Sequence, residues 1–510
     1  MNTHARYGRE RVRKGVVHFL FGKGLSALTG VVILLLLVRE LSVPEFAVYS
    51  VLLGFVEILS ALAGLGLAHT VQRYVPELYA QHANRAFRGL VISTFCVRLA
   101  ALSLAVGIAH AYAPYLAAFF NAAGWVAIFQ IYLGVVWLRA TNQFLFQLLE
   151  STLHQKMGQG AFVLSSFIRL VMLLWVVSFH ALTLKNLILI ELATELVCLL
   201  LLASGVIRVL GAAAPQPGEE SFAAWWSRNA KRLIRFSVMS YLQHLAILPG
   251  TSSVSRIVAG GYLAAVSTAA FGLAQSVAEM VRRYMPAQFF AGLLRPVLVA
   301  RFTESAEFSR VDHVLDIVFR VNFMLIGWLG VVVLAAGEDG LGFVTGGQYG
   351  HEAGRLILLM LVVLVMETQR SLLDLALQVV EHYEILIFSN LLLSSSVIMA
   401  IALTGYIGAY AIPLASLTGL VVSNLLIKWY LRKLGYSYSS NIVGRAALVF
   451  IVGGGVAFAL AQVLVWWLSG LIAALIYPVL GYLLGVFHRD EIAQFRQLLA
   501  KPRGQVTVAA

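Results

Sequence analysis

Lys23, Glu57, Arg98, Arg169, Glu191, Glu195 and Arg320 all stand inside long apolar stretches of the sequence. If those stretches cross a bilayer, an ionisable group near the middle costs at least about 2.5–3.5 kcal/mol, so it faces protein or a wet cavity and has a partner. Lys23, Arg98, Arg169 and Arg320 are cations, and a cavity carrying them attracts an anion. Phosphate is the anion that a planar guanidinium meets with two parallel hydrogen bonds, so an anionic lipid headgroup fits. Glu57 and Glu195 offer a second chemistry, the coupling of movement to a proton or a sodium ion.

Spacing says which charges need one another. Glu191 and Glu195 are like charges one helical turn apart, an arrangement that favours a retained proton or a cationic neighbour, which Arg169 or Arg98 supplies. Glu367, Arg370 and Asp374 share one helix face and pair among themselves. Lys23 has an alternative to a role in the cavity, because its stem can run to the interface with the ammonium in water. Arg73 and Arg283, at the ends of apolar stretches, are expected to anchor to lipid headgroups, and Arg256, at an outer helix end, to be solvated.

Chemistry of other kinds finds no support. The chain has no His-Glu-x-x-His, no P-loop, no Gly-x-Ser-x-Gly and no paired-cysteine spacing. No catalytic residue, metal ligand or cofactor is therefore expected. Cys96 and Cys198 are the two cysteines, both within apolar stretches, and are read as small core residues. Gly64-Leu65-Gly66 and Gly453-Gly454-Gly455 are bend or packing residues, and Gly481 and Gly485 a small-residue pair that packs helices within the chain.

The elements that must hold these residues follow from composition. Of the 510 residues 60% are hydrophobic and 12% charged, with a mean hydropathy of +0.85. A soluble globule of this size would need an implausibly large apolar core, so the chain is an all-α polytopic membrane protein. The net charge of +13 then bears on where Lys and Arg lie relative to the spans, and no nucleic-acid partner is expected.

A spanning helix takes about 20 mainly apolar residues. With Gly, Pro and charge clusters as punctuation, spans are expected near 16–38, 46–68, 89–112, 123–149, 159–179, 184–209, 233–256, 260–282, 314–336, 355–377, 386–404, 408–431, 442–461 and 464–486, about 14 in all. Arg6, Arg9, Arg11, Arg13 and Lys14 precede the first span, which is the cytoplasmic signature, and most remaining Lys and Arg then alternate onto the same side. Both termini are expected in the cytoplasm. A signal peptide is disfavoured because the first apolar stretch contains Lys23 and no small-x-small cleavage site follows.

Residues 211–220 form a Pro/Gly linker, followed by Trp225, Trp226 and a basic run to Arg235. It reads as a cytoplasmic connector (211–232) with a helix lying at the interface, its tryptophans at headgroup depth and its cations toward anionic lipid. It divides a six-span lobe (1–210) from a second six-span lobe (233–432), with two further spans and a tail in 433–510. Val71-Gln72-Arg73-Tyr74-Val75-Pro76 returns as Val281-Arg282-Arg283-Tyr284-Met285-Pro286, at the cytoplasmic end of the second span in each lobe. Two lobes of the same orientation are related by an axis along the membrane normal. The first span of each is expected to be interrupted, at Gly22-Lys23-Gly24 and at Pro249-Gly250, and such breaks point to a transport pathway.

Several motifs resemble those of the polysaccharide and oligosaccharide flippases of the multidrug/oligosaccharidyl-lipid/polysaccharide exporter superfamily. They are the opening Gly22-Lys23-Gly24-Leu25-Ser26, then Val38-Arg39-Glu40-Leu41-Ser42-Val43-Pro44-Glu45-Phe46-Ala47-Val48-Tyr49, and Gly64-Leu65-Gly66 followed by Arg73, Pro76 and Glu77. Val344-Thr345-Gly346-Gly347-Gln348-Tyr349 resembles the external loop before the tenth span, and Ala47 stands where the family often has Gly. The resemblance covers the chain in length, helix count and topology. It implies a flippase of the bacterial cytoplasmic (inner) membrane that moves a polyprenyl-pyrophosphate-linked glycan by alternating access for exopolysaccharide export. Its partners would be the lipid-linked glycan, membrane lipid and polysaccharide polymerase or assembly proteins, and Lys23 would face the pyrophosphate. The rival readings are a cation-coupled multidrug exporter of the same fold, whose cavity would be acidic, and a membrane glycan polymerase or glycosyltransferase, which would need larger external loops.

Overall fold

In hydrocarbon every backbone N–H and C=O must be satisfied within the protein, and a helix does this inside one segment. The computed structural model describes residues 9–287, 308–349, 351–380, 382, 384–436 and 443–486, with side chains of the first helix from Gly24 onward. Among these residues the long regular elements are all helices. The first part of the chain forms α1 (Arg9–Glu40), α2 (Val43–Leu62), α3 (Leu67–Ala80), α4 (Asn84–Ala111), α5 (Ala113–Phe119), α6 (Val126–Ser151), α7 (Gln155–Phe179) and α8 (Leu184–Ala212). It is followed by α9 (Phe222–Ile247), α10 (Ser252–Tyr262), α11 (Ala265–Tyr284), α12 (Phe308–Thr345), α13 (His351–Val379), α14 (Glu384–Ile407), α15 (Ala411–Lys433), α16 (Val443–Val463) and α17 (Trp466–Leu483).

Among the described residues ten segments are long and apolar enough to cross a membrane by length and composition, and one of them, Glu384–Lys433, contains both α14 and α15. Exposed Leu104 and Ile108 on α4, Phe167 and Trp175 on α7, Ile398 on α14 and Leu475 on α17 form apolar surfaces that suit lipid and not water. The protein is a multi-pass membrane protein.

The chain clusters into two units interleaved along the sequence. One holds the described residues within Met1–Met280, Val344–Ile357 and Glu384–Ser423, the other those within Val281–Phe343, Leu358–Tyr383 and Asn424–Ala510. In the first, α6 packs on α8, α7 on both α8 and α1, and α2 on α10. Its inner core joins Val71, Tyr74, Val75 and Leu78 of α3 to Phe87 and Leu90 of α4, Phe144 and Leu148 of α6 and Leu202 of α8. In the second, α16 and α17 pack together, and Val331 and Ala335 of α12 share a buried cluster with Val449, Ala457, Ala473 and Tyr477. Ser469 Oγ donates to the Ala335 carbonyl (2.6 Å) and Trp328 Nε1 to that of Ala474 (2.9 Å). The last two helices are thus bonded onto α12, and a Cβ on Gly481 would strike Met324 of that helix at 2.4 Å.

Local chemistry explains the helix ends and departs from expectation at several. Ser42 N–H donates to Glu45 Oε2 (3.2 Å), closing the first turn of α2, while Glu45 Oε1 accepts from Leu184 N–H (2.9 Å) at the start of α8. The second span ends at Leu62, because Leu65 and Gly66 turn left-handed (φ 48° and 69°) before α3 begins. The first hexapeptide therefore lies within the separate α3, which contains Pro76, whereas the second closes α11, with Pro286 beyond its end. Gly22-Lys23-Gly24 does not interrupt α1. A glycine costs a helix about 1 kcal/mol but keeps its N–H, whereas Pro249 removes a donor and does break the chain, between α9 and α10. The expected interfacial helix and the start of the seventh span are one continuous α9. The glycine-rich segment after Gly337 is mostly helix as well, since α12 resumes past that residue (φ 57°) to Thr345.

Candidate functional site

Four helices of the first unit converge on a buried network of charge. Glu191 on α8 is wholly buried and accepts from the Tyr49 hydroxyl of α2 (2.6 Å). Arg169 on α7 pairs with the same carboxylate and donates to the Tyr49 oxygen (3.0 Å). Arg139 on α6 lies 3.5 Å from Glu191 Oε2 and bonds Glu195 Oε1 through Nε at 2.8 Å. Asn142, one turn on, donates to the Glu195 carboxylate (2.8 Å) and backbone carbonyl (2.9 Å). Two arginines thus answer two glutamates, and the network is neutral. Neutrality is what makes it tolerable, because removing one partner of a buried pair leaves an uncompensated charge.

Arg169 is therefore the cationic neighbour that the Glu191/Glu195 pair required. Its other partner, Arg139, lies outside the charges singled out from the sequence, although its position three residues before Asn142 puts both on one helix face. Among the described residues Arg98 makes no hydrogen bond or ion pair to the network. It lies on α4, 7% exposed, with Cζ 5.1 Å above the Phe144 ring of α6 and its Nε without a hydrogen-bond partner. Among the described residues no carboxylate is within ion-pair distance of it.

A second polar cluster joins α2 to α10 and α11. Arg256 is 2% exposed, which corrects the solvated side chain expected from its place in the sequence. It donates to Ser50 Oγ (2.9 Å), Ser276 Oγ (3.1 Å) and Glu279 Oε2 (3.1 Å). The helices come close enough to bury it because Gly54, Gly260 and Gly272 carry no Cβ: one added there would meet Ser253 O at 2.8 Å, Val51 Cγ2 at 2.3 Å and Ser50 Oγ at 2.3 Å. Glu57 accepts from Ser253 Oγ at the same seam.

Arg320 belongs to the second unit. It is 1% exposed, with Nε 2.9 Å from Asp316 and Nη1 donating to the Val486 carbonyl (2.8 Å), so it closes the end of α17 against α12. On α13 the expected pairing within one face occurs between Arg370 and Asp374 (2.9 Å), while Glu367 lies 3.8 Å from Arg282. Lys23 is carried on α1, but its side chain lies outside the described residues.

No protein-family model and no curated protein matches the sequence. Solved structures do match, and all at the level of fold. The chain has the fold of polytopic all-α membrane transporters of the MOP superfamily. A structure of the lipid II flippase MurJ in an inward closed conformation gives a TM-score of 0.63 at 12% identity, covering 93% of this chain and 100% of that one. An inward-facing multidrug resistance MATE family transporter of the MOP superfamily gives 0.57 at 13% identity, covering 82% of this chain and 94% of the other. A variant of the Vibrio cholerae MATE transporter VcmN gives 0.55 at 12%, covering 83% and 99%.

Proposed function

We propose that this protein flips a polyprenyl-pyrophosphate-linked oligosaccharide across the bacterial cytoplasmic membrane by alternating access, in the service of surface polysaccharide export. The observation that carries the reading is Arg98, a buried guanidinium with an aromatic ring beneath it and no carboxylate at ion-pair distance among the described residues. A cation so placed calls for an anion, and a pyrophosphate offers it bidentate oxygens. Lys23 joins it in binding the pyrophosphate. Arg169 and Arg320, whose charges are met by Glu191 and Asp316, hold their own units together, with any contact to substrate secondary.

Coverage adds support, because the flippase structure accounts for 93% of this chain against 82% and 83% for the exporters. An exporter of cations would place acidic groups at its substrate, and Arg98 argues against that. For ion coupling Glu57 is the stronger of the two acids, since its partner among the described residues is a hydroxyl, whereas Glu195 is already bound by Arg139 and Asn142. Both termini are placed in the cytoplasm on the charge bias of the sequence.

The test is glycan export in a strain lacking this gene, complemented with variants. Lys23→Ala and Arg98→Ala should each abolish export at normal protein levels. Full rescue by a variant with Lys23, Arg98, Arg169 and Arg320 all substituted would end the basic-cavity reading, and drug resistance conferred by the wild type would favour the exporter.

A further inference from the structure

Two guanidinium groups from distant parts of the chain meet at one ring. Tyr74, buried on α3, has Arg73 Cζ 5.6 Å and Arg232 Cζ, from α9, 5.2 Å from its ring centroid, and Phe236 of α9 packs edge-on at 5.6 Å. Each cation is attracted to the aromatic face. The two repel each other, however, and the acid beside them is Glu77, 3.1 Å from Arg73. Among the described residues Arg232 has no carboxylate within ion-pair distance. Neighbouring cations do have partners: Arg228 pairs with Glu220, and Arg85 binds Glu219 through its backbone N–H (2.8 Å) and through Nη1 to the carbonyl (3.1 Å). The contact between α3 and α9 is left with positive charge to spare, and Lys231 and Arg235, both exposed, add to it.

The residue pattern along α9 says what supplies the missing anion. Phe222, Trp225 and Trp226 come first and lie against one another (ring centroids 6.1 and 6.0 Å from Phe222). The cations Arg228, Lys231, Arg232 and Arg235 follow, and then the exposed apolar side chains Val238, Met239 and Leu242. Aromatic, basic and apolar zones in that order along one exposed helix match the passage from headgroups to acyl chains, with the cations at phosphate depth. A soluble anion would leave the apolar zone unmatched, whereas a lipid satisfies both.

We propose that the α3–α9 contact is a binding site for the phosphate of an anionic phospholipid, held between Arg73 and Arg232 beside Tyr74, with the acyl chains along Val238 and Leu242. The phosphodiester oxygens accept from both guanidiniums and so join α3 to α9. Beside this contact α9 is already bonded to the turn before α3, by Ser237 Oγ to the Leu65 carbonyl (2.7 Å), and to the end of α2, by the Tyr241 hydroxyl to that of Leu62 (2.8 Å). The lipid is therefore a clasp, which makes this contact tighter in an anionic leaflet. The site does not depend on what the protein translocates.

The experiment uses the full chain, purified and exposed to phosphatidylglycerol or phosphatidylcholine, with retained lipid counted by native mass spectrometry. Wild type should retain phosphatidylglycerol in at least about tenfold preference, and Arg73→Gln/Arg232→Gln should lose that preference. Arg73→Lys/Arg232→Lys, which keeps the charge, should hold part of it, and Arg228→Gln should leave it unchanged. Spin labels on α3 and α9 should report a narrower distance distribution in phosphatidylglycerol nanodiscs for wild type only. Equal retention of the two lipids by wild type, or undiminished preference in the double Gln variant, would overturn the proposal. Should the double variant not remain monodisperse, Arg232→Gln alone decides by the same two readouts.

Discussion

Arg139 shows what a single side chain does in an apolar interior. It answers Glu195 at 2.8 Å and Glu191 at 3.5 Å, so replacing it strands negative charge that Arg169 alone cannot balance. Arg139→Ala is expected to destabilise the protein by about 3–5 kcal/mol, seen as a large fall in the thermal unfolding midpoint in detergent. Arg139→Ala/Glu195→Gln should recover a large part of that loss, since the stranded charge goes with it. Arg98→Ala should behave oppositely, with little change in the midpoint and a loss of transport, because no partner is left unpaired. Both arginines interrupt apolar stretches in the same way, so their difference was not legible in the sequence. It depends on which helix faces which, and helix spacing alone pairs residues only within one element.

At the scale of elements, glycine acts through where it sits. Gly66 is left-handed (φ 69°), and a Cβ there would meet the Ser237 carbonyl at 2.0 Å. Gly66→Ala should therefore cost about 2 kcal/mol or more, from strain and overpacking together. Gly24, helical and with nothing within 4 Å of its Cβ position, should tolerate alanine with a gain of about 0.5–1 kcal/mol. Paired unfolding measurements of the two variants check both signs. Most helices were legible from apolar run length and punctuation, with α4, α7, α8 and α14 close to their expected limits. The exceptions have local causes. Leu65 and Gly66 turn the chain between α2 and α3, Pro249 ends α9, and Gly22 and Gly24 stay helical, because a glycine interrupts a helix only where tertiary contacts demand another conformation. Arg256 was misread because its burial depends on three glycines on α2, α10 and α11, far apart in sequence.

For the whole molecule, composition alone excluded a soluble globule, and the fold shared with the MurJ and MATE structures agrees with an all-α polytopic membrane protein. The proposed cargo is a lipid carrying a pyrophosphate and a glycan, recognised through Arg98 and Lys23. The most direct measurement reconstitutes the purified protein in liposomes containing a fluorescent polyprenyl-pyrophosphate oligosaccharide and follows its exposure to an impermeant quencher or lectin. Wild type should move the lipid across the bilayer well above protein-free liposomes, and Arg98→Ala should reduce movement to that background while retaining its fold. Equal rates for wild type, Arg98→Ala and protein-free liposomes, with an organic cation transported instead, would contradict the account.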